Sequence, residues 1–242
     1  MKSILDVHTH TVASGHAYST IIENAKEASN KGIKVLGVAD HGPKMPDGPH
    51  IFYFLNLEVL PRKLYGVEIL RGCEANIIDY EGNIDIPEKI ANKLDYMIVS
   101  LHEPCIKPGT IEENTNALIK AMDNKNIMII GHPGNPNFPI DEEKVVLKAK
   151  EKNIIMELNN SSVNGSRKGR QGSDKVCYKI AQLCKKHGVK VVFGSDAHVC
   201  FDIGEFDSVK KLVSDIEMPE ELIMNCDEKK FINYLQEKGK IL

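Results

Sequence analysis

Short apolar runs recur along this chain, and an amphipathic stretch separates most of them from the next. The runs are Ile4–Val7, Ile33–Ala39, Val67–Gly72, Tyr96–Leu101, Ile127–Ile130, Ile154–Leu158 and Val189–Phe193. Each spans four to seven residues and is rich in Val and Ile, as strands buried on both faces should be. Thr20–Lys31, Ile111–Lys125, Asp141–Lys152 and Ser173–His187 read as helices between them. Thr110 and Glu113 have capping-box spacing, and Lys185-Lys186-His187-Gly188 reads as a helix end. Alternating strand and helix with short links implies parallel strands joined by right-handed crossovers. From Pro219 the tail reads as helix, with at most a weak eighth strand at Leu222–Met224.

A length of 242 residues suits one α/β barrel better than two small domains, and no linker, repeat or low-complexity block divides it. A single domain over 1–242 is therefore expected. The chain is 42% hydrophobic and 27% charged, which excludes a disordered chain. A net charge of −3 without a polybasic tail speaks against nucleic acid or a membrane surface as partner. Asp6 interrupts any signal-peptide apolar stretch, and no long apolar span follows, so a cytoplasmic location is expected. The six cysteines form no C-x-x-C pair and read as reduced thiols.

The histidines carry the chemistry. Of nine, six (His8, His10, His41, His102, His132 and His198) fall within the five residues that follow these runs. Random placement would put roughly one there. In an α/β barrel the C-terminal strand ends converge on one mouth, so these residues should meet in space. His16 sits in the first such loop, Glu74 follows the third run and Asp196 the seventh. His8 and His10 are two apart, as are Asp196 and His198, so in extended backbone each pair faces one side. Imidazole with carboxylate suits Zn, Mn or Fe. Seven histidines, one Glu and one Asp exceed one tetrahedral site and suit three divalent ions at about three ligands each. Such a centre, left near about +4, wants an anionic substrate, and phosphate fits.

In order along the chain stand Asp6-Val-His-Thr-His-Thr, Ala39-Asp-His, Gly72-Cys-Glu-Ala-Asn, Leu101-His, Gly131-His-Pro and Ser195-Asp-Ala-His. This series resembles the PHP (polymerase and histidinol phosphatase) superfamily from Lys2 to about Glu237. His16-Ala-Tyr-Ser-Thr, Asp40-His-Gly-Pro, Gly131-His-Pro-Gly-Asn-Pro and Asn159-Asn-Ser-Ser are most like its YcdX-like trinuclear-zinc phosphatases. The resemblance implies a distorted seven-stranded, TIM-like barrel and three divalent ions, Zn2+ before Mn2+ or Fe2+. It also implies the grouping: His8, His10, Glu74 and Asp196 around one ion, Glu74 bridging to a second held by His102 and His132, and His16, His41 and His198 around the third. It hints at a trimer.

The expected activity is hydrolysis of a small phosphomonoester by a metal-bound hydroxide, with Glu74 and Asp196 acting through the ions and Asp196 able to protonate the leaving group. Histidinol-phosphate phosphatase, a PHP-type phosphodiesterase or nuclease, and a non-catalytic metal-binding protein are the competing readings. Arg167, in a glycine-bearing loop, either forks onto the substrate phosphate or is a solvated surface residue. Asp40 either orients an imidazole or faces solvent. His50 is assigned to ordinary packing, His187 to a helix end and Cys73 to the core. No G-x-S-x-G elbow supports a serine nucleophile.

Overall fold

The computed structural model describes residues 2–165 and 171–240. Strands β1 (Leu5–Thr9) and β2 (Val35–Val38) pair in parallel. Next to β2 lies β4 (Val67–Arg71), also parallel, and β3 (Lys63–Leu64) closes that edge antiparallel. A second sheet runs in chain order through β5 (Glu74–Asn76), β6 (Met97–Ser100), β7 (Ile127–Ile130), β8 (Ile155–Asn159) and β9 (Val191–Gly194), all parallel. The protein is an α/β fold of parallel sheets and helices.

Every one of the seven apolar runs forms a strand, but the strands do not lie in one continuous sheet. Among the described residues there are nine strands in two sheets of four and five. The third run forms β4 and stops at Gly72, where the Tyr96 ring packs against the backbone. A Cβ on Gly72 would stand 2.4 Å from that ring, and one on Gly37 would stand 2.1 Å from its hydroxyl, which donates to Val7 O at 2.6 Å. The chain therefore leaves the first sheet at Gly72 and enters the second at Glu74. Isolated parallel bridges, Thr9 with Ala197 and His41 with Glu74, link the two sheets where β1 and β2 end.

Leu222–Met224 forms no strand. Two 3-10 turns, Glu220–Leu222 and Met224–Cys226, flank a single bridge from Ile223 to Val191. Asn225 occupies the strand position instead: its amide donates to Leu5 O and Phe193 O, both at 3.0 Å, and accepts from Phe193 N at 2.7 Å. One side chain thus joins β1 to β9.

The helices are α1 (Ile21–Asn30), α2 (Ile51–Asn56), α3 (Glu88–Ala91), α4 (Ile111–Ala121), α5 (Glu142–Lys152), α6 (Asn160–Val163), α7 (Ser173–His187), α8 (Asp207–Asp215) and α9 (Glu228–Glu237). Capping boxes start α1 at Thr20 and α4 at Thr110, and Gly188 in the left-handed region ends α7. An apolar layer lies between sheets and helices. A second apolar cluster joins inward strand residues such as Val7, Val35, Leu70 and Ile98 to Phe231 and Tyr234 of α9. The Tyr234 hydroxyl donates to Met128 O and Asn153 O, so α9 seals the N-terminal strand ends. The polar centre is left to the opposite end. No helix among the described residues is long and apolar enough to cross a membrane.

Candidate metal centre

His8 lies in β1 and His10 just beyond it, so strand alternation brings both imidazoles to one side, with ring centroids 5.2 Å apart. His41 follows β2, Glu74 opens β5, His102 follows β6, His132 follows β7, and Asp196 and His198 follow β9. The two oxygens of Glu74 divide the histidines between them. Oε2 stands 2.7 Å from His41 Nδ1, 3.3 Å from His8 Nε2 and 3.6 Å from His10 Nε2. Oε1 stands 2.8 Å from His132 Nε2 and 3.3 Å from His102 Nε2, and accepts from Ser100 Oγ at 2.6 Å. Asp196 Oδ1 is 3.3 Å from His10 Nε2. His16 stacks at 5.0 Å on His41 and lies 4.9 Å from His198, at the mouth.

Eight of the nine expected residues are buried or half-buried, and His16 is exposed. Three sets bring donor atoms close enough to share an ion: His8, His10 and Glu74; His41, Glu74 and His102; and His10, His41 and His198. The Asp196–His198 pair does not meet by strand alternation. Asp196 is left-handed, with φ 57°, and its carbonyl stands 2.9 Å from His198 Nδ1. His132 is left-handed as well, with φ 26°. Backbone strain at two such positions is characteristic of functional sites.

Hydrogen bonds orient the imidazoles before any ion is considered. His8 Nδ1 lies 2.6 Å from Glu157 Oε1, and His102 Nδ1 lies 2.7 Å from Asn76 Oδ1. The Asn76 amide donates to Gly42 O and Asp85 Oδ2, which fixes its oxygen toward His102. His10 Nδ1 lies 3.1 Å from Ser14 Oγ, whose own proton goes to Asp40 Oδ1 at 2.7 Å. In each case Nδ1–H donates and the Nε2 lone pair faces the centre. Asp40 is fully buried, not solvent-facing. It also accepts from Thr11 N, Thr11 Oγ1 and the Tyr53 hydroxyl, and so orients His10 through Ser14.

Within the cluster, four buried atoms are left without hydrogen bonds: His8 Nε2, His10 Nε2, His41 Nδ1 and Glu74 Oε2. They converge on one another. Where Nδ1 of His8 and His10 carries the proton, lone pairs face lone pairs, and a cation between them reconciles the contact. The donor set, imidazole nitrogen with carboxylate oxygen, fits Zn, Mn or Fe. Burial would raise the Glu74 carboxyl, yet His8, His102 and His41 hold it well below the usual carboxylate range. Burial and the neighbouring His41 push His10 well below the ordinary imidazole value, which favours a neutral ligand. Burial also opposes charge on His8, but Glu157 and Glu74 raise its pKa well above the ordinary imidazole value.

Above the cluster opens a cleft of about 410 Å³, with Met45, Asp47, Glu103 and Pro104 on its walls. Arg167 lies outside the described residues. His50 is exposed rather than packed: it caps α2, accepting from Phe52 N. His187 ends α7 against Glu143 at 2.8 Å, and Cys73 lies buried in the apolar layer. Glu157, Asn76 and Ser14 escaped the sequence reading. For Glu157 a signal was available: it is the one carboxylate inside the run Ile154–Leu158, a strand expected to be buried on both faces.

The PHP domain family matches residues 6–161, and the chain belongs to that family. A "probable phosphatase" of Clostridium novyi (strain NT) is 61% identical over 241 residues, covering 100% of this chain and 98% of that protein. Another, of Caldanaerobacter subterraneus subsp. tengcongensis, is 56% identical, covering 99% and 94%. The crystal structure of histidinol phosphate phosphatase from Lactococcus lactis, complexed with zinc, L-histidinol and phosphate, superimposes with a TM-score of 0.61. It covers 90% of this chain and 95% of that one, at 13% identity, which speaks to the fold alone.

Proposed function

We propose that this chain is a metal-dependent phosphatase that hydrolyses phosphomonoesters at a centre of three divalent ions, Zn2+ foremost. The observation that carries the reading is the convergence of His8 Nε2, His10 Nε2, His41 Nδ1 and Glu74 Oε2, all buried and all without hydrogen bonds. Relatives of nearly full length and the same family, named as phosphatases, support the reaction class. His8, His10, His16, His41, Glu74, His102, His132, Asp196 and His198 would hold the ions, with Glu74 between two of them. When bound, the ions supply Lewis-acid polarisation of the phosphoryl group and lower the pKa of water toward about 7.

The protein's own part is to hold and orient. Glu74 partitions its oxygens between two sets of imidazoles, and Glu157, Ser14 and Asn76 fix the rings. Asp196, which lines the cleft, would carry the proton released by the attacking water to the departing alkoxide. A cleft of about 410 Å³ suits a small molecule. Asp47 and Glu103 on its walls disfavour a polyanionic chain, which argues against nuclease action. We read the two bridged sheets as one distorted barrel, forming a single domain with this centre at its mouth.

Purified protein should contain two to three transition-metal ions per chain and hydrolyse an aryl phosphate, losing activity to a chelator. A phosphometabolite panel that includes histidinol phosphate then sorts the substrates. One ion or none after reconstitution, or activity that survives exhaustive chelation, defeats this reading.

A further inference from the structure

Glu157 is 2% exposed and lies on β8, between β7, which leads into His132, and β9, across which lies the β1 residue His8. Its Oε1 stands 2.6 Å from His8 Nδ1, and its Oε2 accepts from the backbone N–H of His132, also at 2.6 Å. A buried carboxylate is costly unless its oxygens are satisfied, and these two bonds, with a longer one from Asn159 Nδ2 at 3.4 Å, satisfy it. Space for it is made on β9. A Cβ on Gly194 would fall 1.9 Å from Glu157 Oε1 and 2.9 Å from His8 Cβ. Glycine is thus required here by the carboxylate itself.

The two partners face different oxygens of Glu74. His8 approaches Oε2 and His132 approaches Oε1. His132 also holds a left-handed backbone, which persists in a non-glycine residue only when its surroundings enforce it. The hydrogen bond from its N–H to Glu157 is such an enforcement. We propose that Glu157 is a positioning residue that sets two ligand positions of the centre with one side chain, His8 through its ring and His132 through its backbone. This inference rests on the metal-centre reading above.

Both partners are donors, and that dictates the decisive substitution. A carboxylate offers an acceptor to each, whereas glutamine offers one acceptor and one NH2 group. In Glu157→Gln, either a donor faces a donor or His8 moves its proton to Nε2 and loses the lone pair it would offer an ion. Aspartate keeps two acceptors but is ~1.5 Å shorter, so it reaches neither partner well.

The test is a Zn2+ titration against a competing chelator, run on the wild type, Glu157→Gln and Gly194→Ala, with histidine-labelled NMR of the same samples. Glu157→Gln should weaken binding next to His8 and His132 by about 10–100-fold and leave one ion on His10, His41 and His198. The His8 Nδ1 and His132 amide signals should move while His102 Nδ1, held by Asn76, stays. Gly194→Ala keeps the carboxylate but displaces it and should weaken the same ions. Folded variants with wild-type affinity overturn the inference and leave the metal reading standing, whereas a wild type that binds no Zn2+ defeats both. If neither variant folds, the wild type decides alone. A His8 ring protonated on Nδ1 in the Zn2+-loaded protein supports the inference, and one protonated on Nε2 overturns it.

Discussion

Glu74, His8 and His10 are completely buried, whereas His198 is partly open and His16 stands exposed at the mouth of the same cluster. The deep residues sit on or directly beside strands, and their rings are oriented by Glu157 and Ser14. The rim residues sit on loops, with His16 beyond the 3-10 turn Val12–Ser14 and His198 beyond the left-handed Asp196. Partial desolvation by the cluster, with His41 and His198 beside it, lowers the His16 pKa, so this ring too is inclined to be neutral. The difference is one of preorganisation. Charges taken out of water must be positioned by the fold in advance, while an exposed loop ligand can close on an ion late.

The deep half is broken most directly at Glu74. Glu74→Gln keeps the size but loses the charge that separates two sets of imidazoles, and its NH2 group cannot ligate. Turnover should fall at least about a thousandfold, roughly 4 kcal/mol of transition-state stabilisation, with at least one ion lost and the fold retained. Metal stoichiometry and turnover on one sample check this, and excess Zn2+ should not restore activity.

His16→Ala sharpens the comparison from the rim. One ion should bind about 10–100-fold more weakly, and raising the Zn2+ concentration should recover much of the turnover. An effect as severe and as irreversible as that of Glu74→Gln would erase the distinction between deep and rim ligands.

The smallest effect is expected where the two halves are joined. Tyr53 on α2 donates to Asp40 at 2.5 Å, and Asp40 reaches His10 through Ser14. Burial and the nearby Asp40 carboxylate push the Tyr53 hydroxyl well up, so it remains a donor throughout the working pH range. Tyr53→Phe removes one of the four hydrogen bonds that Asp40 accepts. Thermal melting should fall by about 2–4 °C, for a loss of about 1 kcal/mol. KM should rise more than kcat falls, because Met45 and Asp47, on the segment leading into α2, line the cleft. Equal and large losses in both would mean that Tyr53 supports the centre itself and not the wall.

The convergence of the histidines was legible because parallel strands bring their C-terminal ends together, so a histidine after a Val-rich run announces its place without coordinates. Asp40 was legible as a choice between two roles, and burial decided it. The strand count was not legible after the third run, where Val67–Gly72 read as a strand and Glu74–Asn76 only as the residues that follow it. The Tyr96 ring between them, distant in sequence, sends them to different sheets. Leu222–Met224 failed for a related reason, since the Asn225 amide supplies the groups that a strand backbone would have offered.

Residue type and local period determined which side chains could serve as ligands, because both are properties of the nearest few residues. Tertiary structure alone decided which oxygen of Glu74 each imidazole faces, that Ser14 stands between Asp40 and His10, and that Glu157 reaches His8 from 149 positions away. A hydrogen bond depends on tenths of an ångström between segments that are unrelated in sequence, and only packing sets that distance.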